Sequence, residues 1–231
     1  MKYSFIMPFM NRTPQFTRTL KSFDELYNGR DDYEIILVID PKNTDPLDEF
    51  KKDKRIRIFK SDVDCLNPAR AFNIGVSVCI GEYVILTNPE VMHIMNVLAG
   101  FDEEIEKNPK CYIICSCFDS TIQTTRGAWR QHSTYNNKML HWCSCLAKSL
   151  YEDIGGFDVA YCQGVSYDDD DFREAIFYND IPIVLRDDLI TRHLEHSRVY
   201  QAKNFELVVK NRQYYMEKWK ELTGKEPVER R

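Results

Sequence analysis

The chain lacks the two commonest phosphate-cradling loops, G-x-G-x-x-G and G-x-x-x-x-G-K-[ST]. Their absence sets aside the dinucleotide-binding fold and the P-loop ATPases. No apolar run approaches the length of a membrane span. The opening Met1-Lys-Tyr-Ser-Phe-Ile-Met-Pro8 is too short in apolar residues for a secretory signal and has no cleavage site. Positive charge is not in excess either. The net charge is -5, so no nucleic-acid partner is expected, and the short basic cluster Lys51 to Arg55 reads as a solvated face. Among eight cysteines none forms C-x-x-C. The two C-x-C pairs, Cys115/Cys117 and Cys143/Cys145, lie in strand-like segments where alternation places both sulfurs on one face. Buried free thiols are the expectation, with zinc the alternative, and a reducing, cytoplasmic setting follows. There are no repeats and no Pro/Gly/Ser linker, so residues 1–231 are read as one domain.

What is present is a core and an alternating pattern. Hydrophobic residues make up 43% and aromatics 13%, enough for a sizeable interior. Tyr3 to Pro8 reads as a buried strand. Phe16, Leu20, Phe23 and Tyr27 then recur at helical spacing. Tyr33 to Asp40 is a near-continuous apolar run, the pattern of a parallel strand covered on both faces. Ile56 to Phe59 is a third strand, and Asn67-Pro68 starts a helix with buried stripe Ala69, Phe72, Val76 and Cys79. Tyr83 to Leu86 is a fourth strand, Ile94 to Ile105 a helix, and Cys111 to Cys117 a fifth strand. Strand and helix in alternation predict an α/β fold, a mostly parallel central sheet with helices on both faces and ligands at the carboxyl ends of its strands. Those ends carry Pro8-Phe-Met-Asn-Arg12, Asp40 and Thr87-Asn-Pro-Glu90.

The second half changes character. Thr121 to Lys138 is polar and aromatic, a loop-like stretch suited to binding. Trp129, Tyr135 and Trp142 are candidates to stack on a ligand, with core packing the competing role for Trp142. Met139 to Leu146 is strand-like and Lys148 to Ile154 a short helix. Gly155-Gly-Phe-Asp158 leads to Tyr167 and the acid run Asp168 to Asp171, then to a helix from about Asp170 to Tyr178. An acid run is more often a solvated loop feeding a helix N-terminus, but this one lies between aromatics. The D-x-[DN]-x-[DN]-G pattern of a calcium loop is missing around it. Ile183 to Leu185 is a last strand, with His193 and His196 beyond it, and Lys203 to Leu222 a closing amphipathic helix.

Several of these stretches, in order, resemble family 2 glycosyltransferases of the GT-A fold. Phe5-Ile-Met-Pro-Phe-Met-Asn-Arg12 is similar to that family's strand-Pro-x-x-Asn-Arg start, and Glu34-Ile-Ile-Leu-Val-Ile-Asp40 to its second strand. Asn67-Pro-Ala-Arg-Ala-Phe-Asn-Ile-Gly75 is similar to its G-P-A-x-A-R-N-x-G helix. Gly81 to Glu90 is similar to G-E-Y-I-x-F-L-D-x-D, and Gly155 to Asp158 with Tyr167 to Asp171 to G-G-F-D-E and the acceptor motif. Two departures stand out: the family's D-x-D is Asn88-Pro-Glu90, and only Asp40 remains of a tandem acid. The loop after the first strand has no glycine, which speaks against a nucleotidyltransferase.

The resemblance implies inverting, metal-dependent transfer of a sugar from a nucleotide-diphosphate donor, a UDP-sugar by expectation, to a hydroxyl of a glycan. A module that binds nucleotide sugar or glycan without turnover is the alternative. It implies a nucleotide-sugar half over residues 1–118, an acceptor half over 119–200 and a helical tail over 201–231. Asp169 is the expected base, with Asp168 beside it on acceptor hydroxyls, Asp170 pointing outward and Asp171 supporting the helix. Trp129 and Tyr167 join the acceptor site. Pro8, Phe9, Asn11, Asp40, Arg70 and Asn88 are expected around the nucleotide. Glu90 and His193 are the expected metal ligands, with His196 the substitute. A carboxylate with imidazole favours manganese over magnesium.

Overall fold

The computed structural model describes residues 1–119, 128–196 and 204–227. Of the aromatic stretch and the closing helix expected from sequence, residues 121–127 and Lys203 lie outside the described residues. The strands are β1 (Tyr3–Phe9), β2 (Tyr33–Ile39), β3 (Ile56–Lys60), β4 (Tyr83–Thr87), β5 (Val91–His93), β6 (Tyr112–Asp119), β7 (Trp129–Gln131), β8 (Cys143–Ala147) and β9 (Ile183–His193). The helices are α1 (Thr13–Leu26), α2 (Ala69–Val78), α3 (Val97–Lys107), α4 (Lys148–Asp153), α5 (Asp168–Tyr178) and α6 (Phe205–Thr223). None is long and apolar enough to cross a membrane.

All strands join one sheet in the order β3-β2-β1-β4-β8-β6-β9-β5, with β7 paired to β6. The α/β sheet expected from sequence is present, and its parallel part is the first half. β1 pairs in parallel with β2 and β4, and β2 with β3. Beyond β4 the sheet is mixed: β8 runs antiparallel between β4 and β6, while β9 is parallel to β6. β1, β2, β4, β6 and β9 therefore point the same way, and their carboxyl ends share one edge.

Strand alternation divides the interior into two layers. Phe5, Met7, Ile35 and Leu37 face one side with Phe16 and Phe23 of α1 and Leu98 and Phe101 of α3. The two C-x-C pairs lie in this layer too, all four thiols buried as the alternation required. Ile6, Ile36 and Val38 face the other side with α2, Tyr151 of α4, and Phe172 and Ile176 of α5. α2 approaches closely because Gly75 has no side chain: a Cβ there would stand 2.3 Å from Ile6 Cγ2. After α4, Gly155 and Gly156 both have positive φ, 82° and 66°, a turn that suits glycine and sends Phe157 into this second layer.

Several boundaries differ from the sequence expectation, and the strand expected over Met139 to Leu146 begins only at Cys143. Ile94 is exposed and precedes α3, which begins after Asn96; the Asn96 side chain accepts from Ala99 N–H. β5 is a three-residue strand with no readable period. β9 runs on to His193, with a register shift against β6 that loops out the stretch around Asp187.

Candidate active site

The shared edge carries a cavity of about 240 Å³ walled by Pro8, Phe9, Arg12, Asp40, Asn88 and Glu90, with Ser61 to Pro68 opposite. Each wall is set by its strand. Asp40 N–H donates to Phe9 O at 2.9 Å, tying the ends of β1 and β2 together. After β1 the chain turns through Asn11 at φ 52°. That turn is pinned by Asn43 Oδ1, which accepts from Asn11 N–H, and by Asn11 Oδ1, which accepts from Thr44 N–H at 2.8 Å. Asn11 thus shapes the turn and is not on the cavity wall. Arg70 is off the wall as well: its guanidinium pairs with Asp62 at 2.7 Å on the exposed side of α2.

β4 ends at Thr87, whose hydroxyl donates to Trp142 O at 2.9 Å. Asn88 to Glu90 then turn into β5. Thr19 of α1 holds that turn by donating to Pro89 O. Leu194 N–H donates to Glu90 O at 2.8 Å, and Val91 pairs with His193 in the sheet. These bonds bring Glu90 against His193 and His196, and one ligand atom from each lies within 4.8 Å of the others. Trp142 backs the group, its ring edge-on to His193 at 5.2 Å. Burial, then the neighbouring His196, lowers the His193 pKa to about 4, so its imidazole is neutral at pH 7, the form that can ligate a metal.

The acid run opens α5. The helix begins at Asp168, two residues earlier than expected, because Ser166 and Tyr167 hold positive φ of 63° and 69° and end the preceding loop abruptly. A bulky residue in that region is strained by about 1–3 kcal/mol. α6 supplies the compensation: Asn211 donates to Ser166 O at 2.8 Å and to Tyr161 O at 3.1 Å. The Tyr167 ring is turned onto Tyr215 of α6.

The four carboxyls then diverge. Asp168 is 5% exposed, and burial followed by the charge of Asp169 raises its pKa well above the ordinary carboxylate range. Asp169 is raised by burial too, against the Asp170 N–H, Arg173 and Lys138, which favour its charge. Asp170 does not point outward as expected. It pairs at 2.8 Å with Arg173, a guanidinium only 1% exposed that also donates to Lys138 O, and such a cation must be matched where it is buried. Asp171 does support the helix: it accepts from Tyr161, Trp219 and Lys218, clamping α5 to α6.

Trp129 lies on β7 in a different aromatic group, against Phe118, His132 and Tyr135. Ser133 beside it donates to Asp187 on the looped-out part of β9. Sequence reasoning assigned nothing to Arg12, although it stands in the Asn-Arg pair that closes the first motif. Its guanidinium lies 3.7 Å from Glu90 and 3.0 Å from His196 Nδ1.

Comparison with known proteins bears on this arrangement. The model for glycosyl transferase family 2 matches residues 4–158, which include the cavity edge through Glu90. S. aureus TarS 1–349 in complex with UDP-GlcNAc superposes with a TM-score of 0.74 at 14% identity, over 89% of this chain and 62% of that one. The mannosyltransferase PcManGT from Pyrobaculum calidifontis, in complex with GDP-Man and Mn2+, gives 0.65 at 16% identity, over 98% of this chain and 66% of that one. At such identities the likeness is one of fold, and this chain spans less than two thirds of either structure. No curated protein matches the chain. With its model spanning well over half of the chain, the parallel strands and the cavity edge included, the chain belongs to glycosyl transferase family 2.

Proposed function

We propose that the chain transfers a sugar, with inversion, from a nucleotide-diphosphate donor to a hydroxyl of a glycan. The observation that carries this reading is the edge where Pro8, Phe9 and Asp40 wall a cavity whose far side is Asn88 and Glu90, next to His193 and His196. The solved structures with UDP-GlcNAc and with GDP-Man support a nucleotide sugar as donor, and a UDP-sugar is our choice. Asp40 is placed to accept hydrogen bonds from the base or ribose, with Pro8 and Phe9 packing beside it.

One carboxylate and two imidazoles suit a divalent ion of manganese type, and Glu90, His193 and His196 would hold it, with Asn88 adding a neutral oxygen. A bound cation would neutralise the leaving diphosphate. The chain's own groups do the remainder. A hydroxyl attacks the anomeric carbon as its proton passes to Asp169; the bond from that carbon to the diphosphate oxygen breaks, and the nucleoside diphosphate leaves. Asp168, the more buried of the pair and facing the charge of Asp169, carries the proton the two cannot both release. It then serves as a hydrogen-bonding partner for the acceptor, while the Asp170 N–H and Arg173 favour the charge of Asp169 against its burial. Division of labour between two neighbouring carboxyls is the usual way to set acid and base apart. Eight unpaired thiols fit a cytoplasmic setting.

A thermal-shift screen of UDP- and GDP-sugars, with manganese and with a chelator, tests the reading. A ligand at a hundred times its Kd stabilises by about 2.7 kcal/mol, a shift of several degrees. No shift with any nucleotide sugar would count against it. Asn88 in place of an acid favours a second reading, binding without turnover, and donor hydrolysis or transfer in the presence of manganese decides between them.

A further inference from the structure

Arg12 has an unusual station for a cation. It occupies the N-cap position of α1, a helix with no acidic residue in its first turn, where the helix dipole disfavours positive charge. Nevertheless it is held firmly and is only 19% exposed. Nη1 donates to the carbonyls of Asn11 at 3.0 Å and Met10 at 3.3 Å, within its own turn. Nη2 donates to His196 Nδ1 at 3.0 Å, and Nε faces Glu90 Oε2 at 3.7 Å. The side chain lines the cavity.

This placement closes the three-residue cluster. With Nδ1 of His196 accepting from Arg12, its Nε2 faces Glu90 Oε1 at 3.5 Å. The charge of Glu90 is matched by the guanidinium. A bare cation therefore meets a site of one carboxylate and one guanidinium, and Asn88 adds no charge. An anion meets a planar fork whose two donors face an imidazole nitrogen at 3.0 Å and a carboxylate beyond hydrogen-bond distance at 3.7 Å.

We propose that Arg12 is the residue that receives the donor's diphosphate, exchanging His196 and Glu90 for phosphate oxygens and so opening Glu90, His193 and His196 to the cation. The inference rests on the transferase reading for its biological meaning, but its chemistry is separable. Phosphate oxygens accept from a guanidinium more strongly than a neutral nitrogen does and can take both arms of the fork. Diphosphate and cation then bind cooperatively, because the diphosphate removes the charge that competes for Glu90.

Calorimetric titration with inorganic pyrophosphate, in chelator, reads Arg12 without nucleotide, sugar or metal. R12Q should bind pyrophosphate on the order of ten- to a hundredfold more weakly than wild type. R12K should fall between, since it keeps the charge and loses the fork. Titrated with manganese alone, R12Q should bind more tightly than wild type, because Glu90 has lost its competing partner; loss of a merely structural arginine would weaken both. Equal pyrophosphate affinity in wild type, R12K and R12Q overturns the proposal, as does weaker manganese binding by R12Q. Should R12Q fail to fold, the comparison of R12K with wild type decides. Nucleotide-sugar turnover that persists while pyrophosphate binding ignores Arg12 removes this inference and leaves the transferase reading standing. Arg12-dependent pyrophosphate binding in a chain that binds no nucleotide sugar does the reverse.

Discussion

Asp169, the proposed base, must be more basic than an ordinary surface acid to take a proton from a hydroxyl, and burial at the start of α5 raises its pKa. Asp169→Asn is expected to lower kcat by about a hundred- to ten-thousandfold with donor affinity retained, as steady-state kinetics and calorimetry will read. Asp168→Asn should cost less, since an amide keeps the hydrogen-bonding role proposed for Asp168, whose pKa burial and Asp169 raise. The stability sign is opposite. A folded pKa raised above the unfolded value of about 3.9 gives stability that is complete below that value and lost as pH rises through the folded pKa. Asp168→Asn should therefore melt higher than wild type at pH 7, with the gap closing towards pH 4. His141 works the other way. Buried among Phe72, Phe157 and Phe172, it has its pKa lowered to about 3 by burial. The unfolded chain takes up its proton near pH 6.5, so stability present above that pH is lost as pH falls towards 3. His141→Phe should flatten the fall in melting temperature between pH 7.5 and 5.

At the scale of elements, α6 is the brace of the side proposed for the acceptor. Tyr215 and Trp219 pack with Tyr161 and Tyr167 in a small cluster of their own, and Asn211 holds the strained Ser166–Tyr167 turn by its backbone carbonyls. The carboxyls of Asp168 and Asp169 are aimed by that turn. Asn211→Ala removes the side-chain donor from Ser166 O and one of several donors from Tyr161 O, at a cost of about 1–2 kcal/mol, or several degrees in melting temperature. It should also reduce kcat while leaving donor affinity near wild type, because the cavity proposed for the donor is built on the ends of β1, β2 and β4 and the start of α2. Equal losses in kcat and in donor affinity would contradict this division between the two sides.

Across the whole molecule, the sheet divides the chemistry between its halves. β1, β2 and β4 end at the cavity proposed for the donor. β9 crosses beyond β6 and returns His193 to Glu90 through its pairing with β5. The cation site therefore needs both halves folded together. Glu90→Gln removes the charged ligand of the cluster and should abolish the manganese-dependent part of the donor-induced thermal shift while keeping the part measured in chelator. His193→Ala should do the same. A full manganese effect in both variants would remove the cluster from the metal's coordination.

The sequence by itself determined the elements whose periodicity is long. The Tyr33–Ile39 run is apolar on both faces because both faces are buried, and the Ala69, Phe72, Val76 and Cys79 stripe packs one side of α2 because helical spacing leaves no other choice. It also determined which residue types stand at the strand ends: Asp40, Asn88 and Glu90 were legible because polar residues closing apolar strands have few other roles. Tertiary structure alone decided the rest. β5 is three residues long and carries no period, and it exists because β9 offers it a partner from the far end of the chain. Four consecutive aspartates contain no ruler; the positive φ of Tyr167 and the buried Arg173 assign them separate fates. Arg12 is an ordinary arginine at a helix start until the fold lays Glu90 and His196 across its guanidinium. Local patterns report which surface a residue buries, whereas charge compensation depends on which distant groups share a low-dielectric space, and only the assembled sheet settles that.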